Sequence, residues 1–403
     1  IYAMLADMYL WRGSLHQGRG MLEDSVKVDT GYVVHTVKGD YQLAADYADL
    51  SLASLAKQNQ DRFSSSYNPD IIDTENYGLE NCDMIENDFT GAYQSTAPLL
   101  EAQEYIFTNK NSIESIFELQ YSSGEQENSA VNHLYGYSTG SHLEVSQDAL
   151  AVCYGGWGNA KYDSRMWVGA QNLVTTSSSS SSTALSGYYC VKWQRPNIFW
   201  TGQQTSREIK NVQISTNKWC NWIIYRMTDV MLMKAEALAC IGGAANNTLA
   251  KNIVNAIHRR SYCNYNESKP VSPDLTSGTP NGNATNNSDI VVMVLHERQI
   301  THLGEGKRWF DLVRYAERNS DSASEAADER EATEEKHVGN GQKGMIKMVD
   351  TFLRNAYSNY YTTLKNRFKN RYGLYSPIYY MDVKASDGKL HQNPVWNKSK
   401  YDQ

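Results

Sequence analysis

The densest apolar pattern in the chain lies between Trp222 and Arg314. Met227, Met231, Ala235 and Leu238 fall on one helical stripe, and Val230, Met233, Ala237 and Ile241 on another. A helix that is apolar on nearly every side is a buried helix. Gly242 and Gly243 stand where glycines commonly end a helix. Arg226, Asp229, Lys234 and Glu236 interrupt the run. Burying a charge alone is costly, so these four need partners. Downstream, Glu297, Arg298, Glu305, Arg308, Asp311 and Arg314 alternate in sign at helical spacings. Trp309, Phe310, Leu312 and Val313 are apolar among them. The pattern predicts a structural network of ion pairs and packing. Each acid of this set has an arginine next to it or three residues along, which lowers its pKa and makes it a poor general acid.

A second helical pattern opens the chain. Ala3, Ala6 and Tyr9 share one face of Ile1–Trp11, and Ala44, Ala45, Ala48, Leu52 and Leu55 share one face of Tyr41–Ala56. Small residues let two helices approach closely, which is the tetratricopeptide (TPR) pattern of stacked hairpins. Residues 226–241 with 247–260, and then 289–316, read as further hairpins. The period is irregular and the insertions are long. Between Asn59 and Gln120 the helical pattern lapses, broken by Pro69, Gly78, Gly91 and Pro98. A Gly, Tyr and Ser-rich tract follows over 122–220. The unbroken Ser/Thr run 175–183 cannot form a core and is read as a mobile loop or surface excursion. Residues 318–343 are charged and poor in apolar side chains, which suits a solvated insertion.

Three long segments, in order, resemble the SusD/RagB family of nutrient-binding outer-membrane lipoproteins of Bacteroidetes. YRMTDVMLMKAEAL resembles the family's R-Y-A-D-V-L-L-M-Y-A-E-A helix. HERQITHLGEGKRWFDLVRY resembles E-R-x-x-E-L-x-x-E-G-x-R-W-x-D-L-x-R. LYSPIYYMDVKASDGKLHQNPVW resembles L-x-P-I-P-x-x-E…N-x-x-L-x-Q-N-P-G-W. His302 stands where the family usually has Glu, and Tyr379 where a second proline is common. Shorter likenesses agree: KGDYQLAADYADLSLA resembles the second helix of a hairpin, NSIESIFELQY and YYCVKW resemble strands, and Asp163 with Arg165 resembles a D-x-R element.

The resemblance implies a mainly α, SusD-like fold in which a loop-rich region with few short strands packs over TPR-like hairpins. A single domain would cover 1–403. Within it, 1–56 would be TPR-like helices, 59–220 a loop-rich ligand-binding region and 221–316 a TPR-like helical core. The charged surface insertion 318–343 and a C-terminal tail over 344–403, wrapping back across the helices, would follow. An N-terminal portion bearing a lipidated cysteine is expected outside this numbering. It would be the chain's only membrane contact and would hold it at the cell surface, on the outer membrane.

Composition narrows the partners. A net charge of −7 over 403 residues argues against nucleic acid. Apolar residues at 41% and charged residues at 21% suit a globular protein. No run of 18 apolar residues exists to span a membrane. The six cysteines form no CxxC pair and have no histidine at metal spacing, so no metal or cofactor is expected. Cys240, on the buried helix, reads as a free core thiol. Tyr (28) and Trp (9) outnumber Phe (8), which favours flat apolar faces with a polar handle, useful for sugar rings, interfaces and cores alike.

Function is placed in the 122–220 tract, because loops on a rigid scaffold commonly carry binding residues. Trp157, flanked by glycines, stands in an exposed-looking turn, with Tyr154 and Trp167 nearby and Trp193 and Trp200 further along. A pyranose ring binds where an aromatic face meets planar polar groups, which Asn159, Lys161, Asp163 and Arg165 could supply. The plain reading makes these aromatics core or loop anchors and pairs Asp163 with Arg165 structurally. The leading function implied by the resemblance is non-catalytic capture of an oligo- or polysaccharide and its delivery to a SusC-like TonB-dependent transporter. The alternative is a TPR-type protein that binds peptides or protein partners. A glycan-cleaving enzyme is the least supported class, since no carboxylate pair with one raised pKa can be nominated.

Overall fold

The buried helix read from the apolar stripes forms as Met227–Ile241 in the computed structural model. The structure describes residues 1–18, 23–28, 31–63, 106–108, 110–124, 126–135, 143–146, 149, 153, 163, 165, 169, 171–176, 182–193, 195–201, 208–215, 219–261, 287–319, 340–369, 371–393 and 395. Its elements run in the order α1 (Tyr2–Gly18), β1 (Glu23–Val28), β2 (Gly31–Thr36), α2 (Val37–Phe63), β3 (Ser115–Leu119), α3 (Ser129–Tyr135) and β4 (Glu144–Val145). Then come β5 (Gln171–Thr176), β6 (Ser182–Tyr189), β7 (Arg195–Thr201), β8 (Glu208–Ser215), β9 (Trp222–Arg226), α4 (Met227–Ile241), α5 (Ala244–Ser261) and α6 (Asn287–Thr301). The series ends with α7 (Arg308–Arg318), α8 (Asn340–Ala356), α9 (Tyr361–Lys369) and α10 (Tyr380–Ala385). The fold is mainly helical with short strands.

Two compact units divide the chain: residues 1–10 with 41–308, and residues 11–40 with 309–403. In the first, α4 packs against α5 and α6. Every α4 residue from Met227 to Ala239 is buried, as an all-round apolar helix requires. Ile253, Val254 and Ile257 of α5 and Ile290, Val294 and Leu295 of α6 are buried in the same unit. Each such side chain contributes about 1.5–3 kcal/mol on leaving water. The helix ends at Gly242, whose φ of 78° suits glycine and whose N–H donates to the Leu238 carbonyl at 3.0 Å. At its other end the Met227 N–H donates to the Glu114 carbonyl at 2.8 Å. That bond ties α4 to the antiparallel pair β3–β9.

The charges on α4 find the partners they need. Asp229 lies 2.9 Å from Arg298 and 3.0 Å from Lys307, and Lys234 lies 2.5 Å from Asp49 of α2. The N-terminal helices extend beyond the spans read from small-residue spacing, and the β1–β2 hairpin, for which the pattern gave no sign, stands between them in sequence. Ala3, Ala6, Ala44, Ala45 and Ala48 are buried, and the Tyr9 and Tyr47 rings stack at 5.5 Å.

The Ser/Thr run corrects the loop reading at its ends. Thr175 pairs with Thr183 and Thr176 with Ser182 in the β5–β6 ladder, and residues 177–181 lie outside the described set. A ladder needs only backbone groups, and threonine is β-favouring, so a run that cannot build a core can still pair. Cys153, Cys190, Cys220 and Cys240 are free thiols, and Cys240 is half-buried rather than in the core.

In the second unit, Leu312, Val313 and Ala316 of α7 pack with Met345 and Leu374, bordered by Trp11, Val349 and Phe368. Asp311 pairs with Arg314 at 2.9 Å, and the Arg314 guanidinium lies over the Trp11 ring. Trp309 and Phe310, read from sequence as part of this packing, are instead exposed, Trp309 lying against the Phe368 ring at 5.6 Å. Most of 318–343 lies outside the described residues, and α8 begins within it at Asn340.

Replacing Asp229 with Ala would leave Arg298 buried with one counter-ion fewer. We expect Asp229→Ala to cost about 3–5 kcal/mol, read as a lowered midpoint in chemical denaturation. A midpoint equal to that of the parent chain would show the pairing to be energetically idle.

Candidate ligand-binding site

The aromatic candidates Tyr154, Trp157 and Trp167, with Asn159 and Lys161, lie outside the described residues. What the structure describes is the frame from which that segment springs. Cys153 and Asp163 flank residues 154–162, and both are buried. Burial pushes the Cys153 thiol up to about 12, against the pull of Arg308 and Arg165, while Asp163 adds to the rise. The Arg165 and Asp163 charges thus act on Cys153, and the two flanks of the segment come back to one place.

Arg165 holds that place. Its Nε and Nη2 donate to the two Asp163 carboxylate oxygens at 2.9 and 2.7 Å, a bidentate pair. Its backbone N–H donates to Asp163 Oδ1 at 2.9 Å. Its Nη1 donates to Glu297 Oε1 and, at 2.7 Å, to Thr301 Oγ1, both on α6. Arg165 is 1% exposed. Counted above as a ligand-binding candidate, it is turned inward and fastens the loop flank to α6. The structural pairing of Asp163 with Arg165 is what the geometry shows.

A second cluster closes the C-terminal end of α6. The last carbonyls of a helix lack intrahelical donors and carry partial negative charge. Here the Thr301 carbonyl accepts from Lys192 Nζ and from Arg226 Nη2, each at 2.9 Å. Both cations also reach Glu305, Lys192 at 2.7 Å and Arg226 at 2.9 Å. Glu305 is brought inward by the turn Gly304–Glu305–Gly306, whose glycines have φ of 78° and 75°. At Gly304 a side chain would also meet Cys190 Sγ at 2.6 Å, so two constraints require glycine there. Glu114 completes the cluster beside Arg226 (3.8 Å) and Arg260. Trp193, grouped above with the candidate aromatics, is buried and stacks on Trp222 at 4.8 Å, beside Phe107 and Tyr135.

Sequence reasoning missed Glu114, Thr301, Arg260 and His258, which lies 3.7 Å from Glu297. The acids Glu114 and Glu118 inside the apolar stretch 113–119 were a usable signal for Glu114. Thr301 offered none. The electrostatics suit anchoring rather than proton transfer. Burial alone would raise the Glu297 carboxyl, but Arg165 and His258 outweigh it and hold it at about 2. Burial opposes ionisation of Glu305 too, and Arg226 with Lys192 keeps it well below the usual carboxylate range. Neither can deliver a proton near neutrality. His302 is pushed well below its ordinary 6.5, first by burial and then by Arg226, so it is held neutral.

The signs of these shifts set the acid response. Glu297 is depressed in the folded chain, so its contribution is present above its ordinary 4.5 and is lost as pH falls toward about 2. His302 is also depressed, so the unfolded chain takes up its proton first and stability begins to fall below about 6.5. We expect His302→Phe to flatten the pH dependence of unfolding between 6.5 and 4.5, and Glu297→Gln to flatten it below 4.5. Unaltered slopes in urea titrations across those windows would refute the assignment.

Comparison with known proteins gives these features a context. The SusD family model matches residues 56–396. A SusD-like protein, P38, from Formosa agariphila is 34% identical over 94 residues, a match covering 23% of this chain and 17% of that protein. Among solved structures, a SusD homolog from Bacteroides thetaiotaomicron aligns over 98% of this chain and 78% of its own length, at 15% identity and a TM-score of 0.47. A SusD superfamily protein from Bacteroides fragilis aligns over 98% of this chain at 16% identity and a TM-score of 0.45, and the chain spans 63% of its length. Surface glycan-binding protein A from B. thetaiotaomicron aligns over 93% of this chain and 67% of its own, at 16% identity and a TM-score of 0.41. With the family model matched across most of its length, the chain belongs to the SusD family.

Proposed function

We propose that this protein is a non-catalytic glycan-binding protein of the cell surface. It captures an oligo- or polysaccharide and passes it to a SusC-like TonB-dependent transporter of the outer membrane, to which a lipid anchor outside this chain would hold it. The observation that carries this reading is membership of the SusD family across residues 56–396. None of the described helices is long and apolar enough to cross a membrane, which is compatible with attachment by a lipid.

The chemistry of the chain supports the same reading. Residues 154–162 hold Tyr154, Trp157 and Asn159, with Trp167 close behind, and spring from a frame fastened by Asp163, Arg165 and Glu297. A fixed frame lowers the entropy lost when a loop orders on a ligand. Trp157 would stack on a sugar ring, Tyr154 or Trp167 would flank it, and Asn159 would bond ring hydroxyls. Arg165 would act through the loop flank that it holds. Glu297 and Glu305 are already committed to buried cations, which leaves them unsuited to a glycosidase pair.

A screen of the purified chain against plant, host and fungal polysaccharides by affinity electrophoresis tests the class of ligand. Once one is found, Trp157→Ala should weaken binding at least roughly thirtyfold, as loss of about 2 kcal/mol implies, with the denaturation midpoint unchanged. A dissociation constant equal to the parent's would remove Trp157 from the site. A lowered midpoint with unchanged affinity would make it a core residue. Prolonged incubation with the bound glycan should release no reducing ends. Release abolished by Glu297→Gln would overturn the non-catalytic assignment.

A further inference from the structure

The C-terminal stretch of the second unit is basic in a chain that is acidic as a whole. Residues 344–403 hold ten Lys and Arg against four Asp and no Glu, in a chain of net charge −7. The same stretch is rich in tyrosine, and the structure turns many of those rings outward. Tyr372, Tyr375, Tyr379 and Tyr380 are all exposed, Tyr379 at 61% and Tyr380 at 47%.

Local bonds make these residues parts of one assembly. The turn at Gly373 closes directly on the C-terminal end of α9, where a Cβ would fall 2.0 Å from the Arg367 carbonyl. Asn393 donates from Nδ2 to the Tyr372 carbonyl at 2.6 Å and to the Tyr375 carbonyl at 3.3 Å. Gln392 accepts from the Ile378 N–H at 2.8 Å and donates to the Ile378 carbonyl at 2.7 Å. These amides close the loop 378–392 on itself. Inside it, Ser386 accepts the Leu390 N–H at 2.9 Å and donates to the Val383 carbonyl at 2.7 Å. The loop is therefore preorganised. On it the Tyr379 and Tyr380 rings meet at 5.1 Å and 63°, and Lys384 follows Tyr380 by one helical turn. In the loop Asp382 and Asp387 balance Lys384 and Lys389, so the positive charge comes from the adjoining α9, which carries Lys365, Arg367 and Lys369 and no acid, with Lys365 lying 3.6 Å from Asp350 of α8.

We propose that this tyrosine and lysine surface is a second glycan site, selective for anionic polysaccharides such as polyuronates. The inference rests on the glycan-binding reading above and goes beyond it in naming the ligand class and a place distinct from the 154–167 tract. Tyrosine faces suit the apolar C–H faces of pyranose rings, and their hydroxyls suit the rims. Lysine and arginine suit the carboxylate borne by each uronate residue, and their field would steer a polyanion toward one face of an otherwise acidic protein.

The test is affinity electrophoresis and calorimetry of the full chain with polygalacturonate and with the same polymer after carboxyl reduction. Polygalacturonate should bind at least tenfold more tightly than the reduced polymer, with the difference shrinking as salt rises. Tyr379→Ala with Tyr380→Ala, and separately Lys369→Gln with Lys384→Gln, should each weaken polygalacturonate binding at least tenfold while circular dichroism stays that of the parent. Equal affinity for the two polymers, or undiminished binding in both folded double variants, would overturn the proposal. Comparable retention on phosphatidylglycerol vesicles, lost in the lysine variant, would overturn it in favour of a lipid-facing surface. Binding of neutral glycans through Trp157 with no polyuronate binding would defeat this inference alone. Failure to bind any glycan in the wider screen would defeat the proposed function with it.

Discussion

The cost of burying charge governs this molecule. A helix as apolar as α4 must go inside, and it carries Asp229, Lys234 and Glu236 with it. An ion taken from water without a partner costs several kcal/mol, more than any one apolar contact returns. The chain therefore has to bring Arg298 and Lys307 to Asp229, and Lys192 and Arg226 to Glu305. Meeting that demand fixes where α6 ends, why the turn after it needs glycine at 304, and how β9 enters the core.

The same requirement connects scaffold to site. Glu297 sits on α6 and takes its largest compensating charge from Arg165, which belongs to the loop-rich tract. Arg165 in turn draws in Asp163, which lies at the edge of the glycine-flanked segment bearing Trp157. An ion pair between residues 132 apart in sequence thus fastens Arg165 and its neighbour Asp163 to α6. The second unit follows another logic. Its apolar core is modest, and the exposed loop 378–392 is closed by side-chain amides rather than by burial.

Much of this was legible in the sequence. Two apolar stripes over 227–241, with glycines after them, determined a buried helix and its end, because a period of 3.6 on every face admits no other packing. The alternating charges over 297–314 determined that an ion-pair network would exist, since buried charges require partners. The motif likenesses determined the family. Tertiary structure alone decided which charges meet. Nothing local tells Glu305 to choose Lys192 and Arg226, 113 and 79 residues away, over its neighbour Arg308. Nor could spacing show that Arg165 pairs with Glu297 of α6, or that the ends of a Ser/Thr run would pair as strands. Local pattern reports which groups must be buried and what they will demand. The partner that answers each demand is set by chain segments that meet only when the fold closes.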